Sequence, residues 1–174
     1  MKTYKAFGAG MLFLVGTAFG ALAQDKPTDP QIAHIAYTAG VIDIDAAKLA
    51  LSKSTNKAVT AFAKSMVDDH QAVNEQALKL VKKLGVTPED NATSQALAKA
   101  AKEKRAKLIA LKGAAFDSAY VDNEIAYHKQ VNDALKTLLI PSARNAELKS
   151  LLQTGLKLFQ GHQMHAEHVG AALE

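Results

Sequence analysis

KAVTAFAKSMVDDHQAVNEQALKLVKKL, residues 57–84, is the stretch that decides the fold class. Its apolar residues recur every three or four positions, which is the spacing of one face of an α-helix. Thr55 or Asn56 is suited to cap the start of this helix, and Gly85 followed by Pro88 is a typical stop. The predicted buried face consists of Val59, Phe62, Ala63, Met66, His70, Val73, Ala77, Leu80, Val81 and Leu84.

Further segments show the same helical spacing, and none alternates in the way of a β-strand. They predict long helices over about residues 31–51, 115–139 and 142–173, and a basic, alanine-rich helix over about 91–111. Long amphipathic helices joined by short turns pack as a bundle. We therefore predict an all-α protein, an up-down four-helix bundle with an additional connecting helix.

Three residues are expected to set the ends of the later helices. Pro141 should stop the helix before it, and Ser142 should cap the last helix. Asp117 is expected to cap the helix that follows Gly113.

Residues 1–23 have the pattern of a secretory signal peptide. Lys2 and Lys5 precede a short apolar run that ends in a small-x-small cleavage sequence at Ala23. We predict cleavage after Ala23; the alternative, an uncleaved membrane anchor, is disfavoured because the apolar run is short. The expected location is the periplasm, the outer membrane or the cell exterior. A polar leader over 24–30 and a single domain over 31–174 complete the predicted organisation.

Composition excludes several classes of function. The 174 residues include no Cys, so the chain has no disulfide, thiolate metal site or Cys nucleophile. Loss of Lys2 and Lys5 leaves 19 of the 21 basic residues against 17 acidic ones, a net charge of +2 that gives no reason to expect a nucleic acid partner. No second apolar stretch is long enough to span a bilayer. Association with the cell envelope and a homo-oligomer remain open.

Four predicted helices each carry one polar residue where the buried stripe calls for an apolar one: Asp43, His70, His128 and His162. A buried polar group is costly unless it is paired or ligated, so four on neighbouring helices indicate a shared site. Imidazole and carboxylate suit a mononuclear transition-metal site for Zn, Cu, Ni or Fe. The alternative is a network of His and carboxylates that only fixes the register of the bundle.

The heights of these residues along the helices are predicted to agree in only one hairpin. Asp43 and His70 lie at similar distances from the first turn. His128 lies about thirteen residues before Pro141 and His162 about twenty-one after it, a mismatch of roughly 12 Å.

Two further carboxylates are candidates to bind the ion or to orient its ligands. Asp69 is adjacent to His70, and Glu124 is one helical turn before His128.

Other polar residues have simpler interpretations. Asp45 and Asp68 point away from the stripes and are expected in solvent, as are His165 and His168 near the end of the chain, while His34 has no evident partner. The basic segment 99–112 is expected to be a solvated face rather than a membrane-binding one. Tyr120 and Tyr127 are expected in the core with their hydroxyls at its edge.

The segments Phe62-Ala63-x-x-Met66-Val67-x-Asp69-His70 and Gly113-Ala114-Ala115-Phe116-Asp117-x-x-Tyr120-Val121, with His128 and His162, resemble a bacterial family of uncharacterised exported proteins. The resemblance implies a ferritin-like four-helix fold and no settled activity. That family usually has Glu where this chain has Asp43, which is one methylene shorter and is expected to reach less far.

The di-iron chemistry of ferritin-like proteins is not implied, because such sites use Glu-x-x-His on two helices. Val67, Ile125 and Phe159 stand three residues before the core histidines. The sequence thus argues against a carboxylate-bridged di-iron centre.

Three functions compete at this stage. The first is a non-enzymatic exported protein that binds a transition metal or serves in envelope stress. The second is a structural or interaction module of the cell envelope without a metal. The third is a metal-dependent oxidoreductase with Tyr127 near a redox metal.

Overall fold

The computed structural model describes residues 26–173. The predicted signal peptide and the first two leader residues lie outside this range. Across the described range the chain forms helices and no strand, so the all-α prediction is confirmed. The helices are α1 Asp29–Lys53, α2 Lys57–Leu84, α3 Ala92–Ala110, α4 Gly113–Ala134, α5 Ile140–Ser142 and α6 Ala146–Ala171, with a π-helical segment, Leu135–Leu139, between α4 and α5.

Local capping explains where the first three helices begin and end. The Thr28 hydroxyl accepts from the backbone N–H of Gln31, and the Gln31 side chain accepts from the backbone of Thr28 in return. The side chains of Asn56 and Asn91 cap α2 and α3. Gly85 ends α2 in the left-handed conformation, with φ of 64°. The prediction of an Asn56 cap and a Gly85 stop is therefore confirmed.

Four long helices surround one core, in the cyclic order α1, α2, α6, α4. The connecting helix α3 packs outside them, mainly on α1. Glu89 N–H donates to Pro30 O at one end of α1, and Lys53 Nζ donates to Ile109 O at the other end. Because α3 thus runs parallel to α1, it returns the chain to the end where α2 began. Neighbouring helices of the bundle are consequently antiparallel, and the predicted bundle with a connecting helix is confirmed.

Two apolar clusters fill the bundle and leave a polar layer between them. The first cluster includes Phe62, Met66, Phe116, Tyr120 and Ala166. The second includes Ile32, Ile35, Leu135, Leu148 and Leu152. The stripe residues Asp43, His70, His128 and His162 fall, on every helix, between members of these two clusters.

The turn between the last two long helices differs from the prediction. Pro141 does not end the helix but lies inside α5, and Ser142 does not cap α6. The π-helical segment ends two residues before Pro141, and its wider turn accommodates a ring that would clash in a regular helix. Asn145 is the true cap, because its side chain accepts from the backbone N–H groups of Glu147 and Leu148.

The Asp29 carboxylate fixes this turn to the start of α1. Its two oxygens accept from the backbone N–H groups of Arg144 and Asn145, both at 2.8 Å. At the start of α4, no side chain caps the helix after Lys112. The expected cap, Asp117, is instead buried within α4, so that prediction is wrong. Across residues 26–173, no helix has both the length and the apolar character needed to cross a bilayer.

Candidate metal site

Three imidazoles from three helices meet in the polar layer. The ring centroids of His70 and His128 are 5.7 Å apart, and that of His162 lies 5.2 Å and 5.4 Å from them. All three residues are at least 95 % buried. One nitrogen from each can be chosen so that all lie within 4.8 Å of one another. This spacing is close to that of ligands around a single ion.

The predicted height mismatch of His162 is wrong. It assumed a turn at Pro141, whereas the helical path continues through Ser142 and α6 begins only at Ala146. Because the turn comes later in the chain, more residues separate His128 from the turn, and fewer residues separate the turn from His162. Both histidines therefore reach the same level of the bundle.

Asp43 lies between two of the imidazoles. Its Oδ2 atom is 3.5 Å from His70 Nε2 and 3.4 Å from His128 Nε2. The side chain is fully buried, and neither carboxylate oxygen has a hydrogen-bond partner among the described residues. Although Asp43 is one methylene shorter than Glu, its carboxylate still approaches both rings.

The outer nitrogen of His128 has a defined partner. Its Nδ1 atom lies 3.0 Å from the backbone carbonyl oxygen of Glu124. A carbonyl only accepts, so Nδ1 carries the proton and Nε2 carries the lone pair. That lone pair belongs to the nitrogen beside Asp43, and it has no hydrogen-bond partner within the described chain.

His162 is oriented in a similar way by Asp69. Its Nε2 atom lies 3.0 Å from Asp69 Oδ2, on α2. An exposed carboxylate accepts, so Nε2 donates and Nδ1 holds the lone pair. Nδ1 is buried, with no partner in the described part of the protein. Asp69 was singled out beside His70 in sequence, yet it serves the histidine of another helix.

Glu124 forms a second group with Asp43 and His128. Carboxylate oxygens of both acids and one nitrogen of His128 can be chosen within 4.8 Å of one another. Glu124 Oε1 accepts from Asn123 Nδ2 at 3.3 Å, while Oε2 lies 3.7 Å from His128 Nδ1 without a hydrogen bond. The side chain is completely buried. Two carboxylates and one imidazole thus share one side of the polar layer.

Burial sets the protonation states of this layer. Burial lowers the pKa of His70 well below the usual value for histidine and lowers the pKa of His128 to about 4. It also lowers the pKa of His162. It raises the pKa of Asp43 well above the usual value and that of Glu124 to about 8. At neutral pH the three imidazoles are therefore uncharged, and their lone pairs are available to a metal ion.

One contributor to the site was missed at the level of sequence. Phe159 stacks on His70, with ring centroids 4.7 Å apart and planes 6° from parallel. The signal was present, because Phe159 stands three residues before His162, one turn along the same face of α6. Its ring covers His70, the imidazole of the cluster whose two nitrogens both lack a partner among residues 26–173.

The two tyrosines lie in the core, as expected. The Tyr127 hydroxyl donates to the backbone carbonyl of Ala39 at 2.9 Å, so it is engaged away from the imidazoles. The Tyr120 hydroxyl is buried and has no partner within the described range. Burial raises the pKa of both phenols well above the usual value. Both therefore stay protonated at neutral pH.

The remaining polar residues lie outside the cluster. Asp45, Asp68, His165 and His168 are exposed, as predicted. His34 Nδ1 lies 3.8 Å from Asp90 Oδ1, beyond hydrogen-bonding distance, and has no hydrogen-bond partner among the described residues. The basic segment 99–112 is mostly exposed.

Comparison with known proteins gives a family and no activity. Residues 16–169 match the model of a domain of unknown function, DUF4142. The chain belongs to this family. Neither the curated proteins nor the solved structures gave a match to this DUF4142 chain. Its chemistry must therefore be inferred from the polar layer itself.

Proposed function

We propose that this DUF4142 protein binds one transition-metal ion through His70, His128 and His162, with Asp43 as the fourth ligand. The observation that carries the proposal is the pair of outer hydrogen bonds at His128 and His162. Histidines that bind metals almost always donate their other N–H to a carbonyl or a carboxylate. Here one donates to Glu124 O and the other to Asp69, and both opposite nitrogens are buried without a partner among residues 26–173.

The distances are compatible with a mononuclear ion after a small adjustment. A metal–nitrogen bond of about 2.0–2.1 Å puts two ligand nitrogens at most about 4.2 Å apart. The three histidines already offer atoms within 4.8 Å of one another, so side-chain shifts of up to about 1 Å each would bring these three atoms around one ion. Three nitrogens and one oxygen suit Zn, Cu, Ni or Fe.

The acids supply the charge that the neutral imidazoles lack. Asp43, deprotonated on binding, would give the ion one negative ligand. Glu124 lies beside Asp43 and His128 and, if it too is deprotonated on binding, would add a second negative charge near the ion without being required as a ligand. No Glu-x-x-His sequence accompanies the histidines, which supports one ion over a di-iron pair.

We further propose a non-enzymatic role outside the cytoplasm, in a ferritin-like bundle. The secretory pattern of residues 1–23 supports export, with cleavage after Ala23. Two antiparallel hairpins joined by a crossover helix support the ferritin-like comparison. Protein recovered from the extracellular or periplasmic fraction should begin at Gln24 by mass spectrometry. A full-length chain confined to the cytoplasm would refute the export proposal.

Titration of the purified, metal-stripped protein tests the site directly. We expect at least one of Zn, Cu, Ni and Fe(II) to raise the melting temperature and to bind with a stoichiometry of one. His70→Ala and His128→Ala should each abolish that rise. His165→Ala, in an exposed histidine on the same helix as His162, is the matched control and should leave it unchanged. The proposal is wrong if no ion stabilises the protein, or if the core variants bind as the parent does.

A further inference from the structure

A small cavity lies on the axis of the bundle beside the histidine cluster. Its volume is about 60 Å³, and its walls come from α1, α2, α4 and α6. The void exists because small residues face one another across the axis: Ala33, Ala36, Gly40, Ala77, Ala134 and Gly155. Asp43, His70 and His128 close one end, and aliphatic side chains line almost all of the rest.

We infer that this cavity is a binding site for a small uncharged apolar molecule, of the class of dioxygen or nitric oxide. Apolar cavities stay dry, because a water needs two to four polar partners. Here the polar groups of Asp43, His70 and His128 stand at one end, where they can hold a water, and the aliphatic walls of the rest offer no polar partner. A molecule that forms no strong hydrogen bonds therefore loses little on transfer into this space.

Size narrows the class of ligand. An engineered apolar cavity of about 150 Å³ holds benzene or xenon. A cavity of 60 Å³ is well under half of that size and excludes an aromatic ring or an acyl chain. A ligand of two or three heavy atoms fits.

The position of the cavity gives such a ligand access to the proposed metal. His70 and His128 belong both to the cavity wall and to the histidine cluster. A diatomic molecule in the cavity would therefore lie beside the residues that would hold the ion. This second step rests on the proposed function, whereas binding in the cavity does not.

Xenon is a probe for the cavity that requires no metal. In the metal-stripped protein, xenon under pressure should shift the NMR signals of cavity-lining methyl groups and saturate. Ala134→Leu, which fills the void from α4, should abolish the saturable shift. Ala106→Leu, the same change at an exposed position of α3, should leave it unchanged. A wild-type protein without saturable shifts, or an Ala134→Leu variant that binds xenon equally well, would overturn the inference.

A milder variant keeps the test valid if Ala134→Leu fails to fold. A Cβ at Gly155 would meet only the Phe159 ring, at 3.4 Å, which is ordinary contact. Gly155→Ala should fold and weaken xenon binding several-fold; unchanged binding would count against the cavity.

Nitric oxide tests the second step separately. In Fe(II)-loaded protein, Ala134→Leu should slow formation of the nitrosyl species about tenfold, while Ala106→Leu should not. An equal rate would show that gas reaches the metal by another path. Xenon binding by a protein that takes up no metal would leave the cavity assignment standing and remove the metal proposal alone.

Discussion

Nε2 of His162 donates a hydrogen bond of 3.0 Å to Oδ2 of Asp69 and thereby links α6 to α2. Asp69 is partly exposed, with 44 % of its side chain accessible, whereas the ring it orients is buried. The carboxylate is thus placed to hold an imidazole in one tautomer without binding the ion itself. Outer hydrogen-bond partners of metal-binding histidines fix the tautomer and the ring orientation in this way.

Loss of the Asp69 carboxylate should weaken metal binding more than it weakens the fold. Asp69→Ala frees the His162 ring to rotate and to change tautomer, so the affinity for the ion should fall about 10–100-fold. Asp68→Ala is the matched control. The Asp68 carboxylate is next to Asp69 in sequence, is exposed, and forms a salt bridge with Lys64 one turn away. Isothermal titration calorimetry measures both. Equal affinities for the two variants would exclude an orienting role for Asp69.

The sequence correctly predicted which residues form the polar layer, but it predicted their relative heights along the bundle incorrectly. The stripe periodicity identified Asp43, His70, His128 and His162 because a helical face is a local property of the chain. Their common height was missed because it depends on the turn before α6. There Asn145, followed by an acidic residue, is a recognisable cap, but Pro141 is the stronger stop signal in sequence.

Contacts between distant segments had no sequence signal at all. The bond from Asp69 to His162 and the anchoring of Arg144 and Asn145 by Asp29 each join residues more than 90 positions apart. Periodicity predicts which face of its own helix a residue occupies. Which residue it contacts on another helix depends on how the helices pack against one another. The choice between a metal site and a buried polar network depends on such neighbours.

Exchange of His70 for an apolar residue of similar size should separate these two interpretations. Both nitrogens of His70 are buried without a partner within residues 26–173, so His70→Leu should stabilise the metal-free protein by about 1 kcal/mol. With metal at about 1,000 times its dissociation constant, the parent gains about 4 kcal/mol and the variant gains little. The order of melting temperatures should therefore invert on addition of metal. An order that stays the same would favour the purely structural network.

The metal-free protein should lose stability as the pH rises above neutral. Burial raises the pKa of Glu124 to about 8, above its unfolded value of 4.5, so its stabilising contribution is full below pH 4.5 and lost as the pH rises towards 8. Below pH 6.5 the lowered pKa of His128 has the opposite effect, since its contribution is lost as the pH falls towards 4.

Between pH 6.5 and 8 the carboxyl effect acts without the opposing effect of the histidines, and the Glu124 part of it should cost about 2 kcal/mol. Asp43, whose pKa is also raised by burial, adds to the decline. Glu124→Gln cannot ionise and should make the decline shallower in urea denaturation of the metal-free protein. Glu75→Gln, at an exposed carboxylate of α2, should keep the parent slope. A Glu124→Gln variant with the parent slope would show that another group titrates in this range.

Gly40 is required by the close approach of α1 to α2 just above the polar layer. A Cβ at this position would lie 2.4 Å from Oδ1 of Asn74, whose side chain is itself buried. Gly40→Ala should therefore destabilise the fold by about 1–3 kcal/mol, because the buried Asn74 side chain would have to shift to make room for the methyl group. At Gly161, in the interior of α6, an added Cβ would meet nothing within 4 Å. Gly161→Ala should stabilise the fold by about 0.5–1 kcal/mol through reduced entropy of the unfolded chain.

Thermal denaturation of the Gly40→Ala and Gly161→Ala variants should thus give melting-temperature shifts of opposite sign. A second change, Asn74→Ala, should restore much of the stability lost in Gly40→Ala. Two shifts of the same sign would mean that α1 and α2 are farther apart at Gly40 than this packing requires.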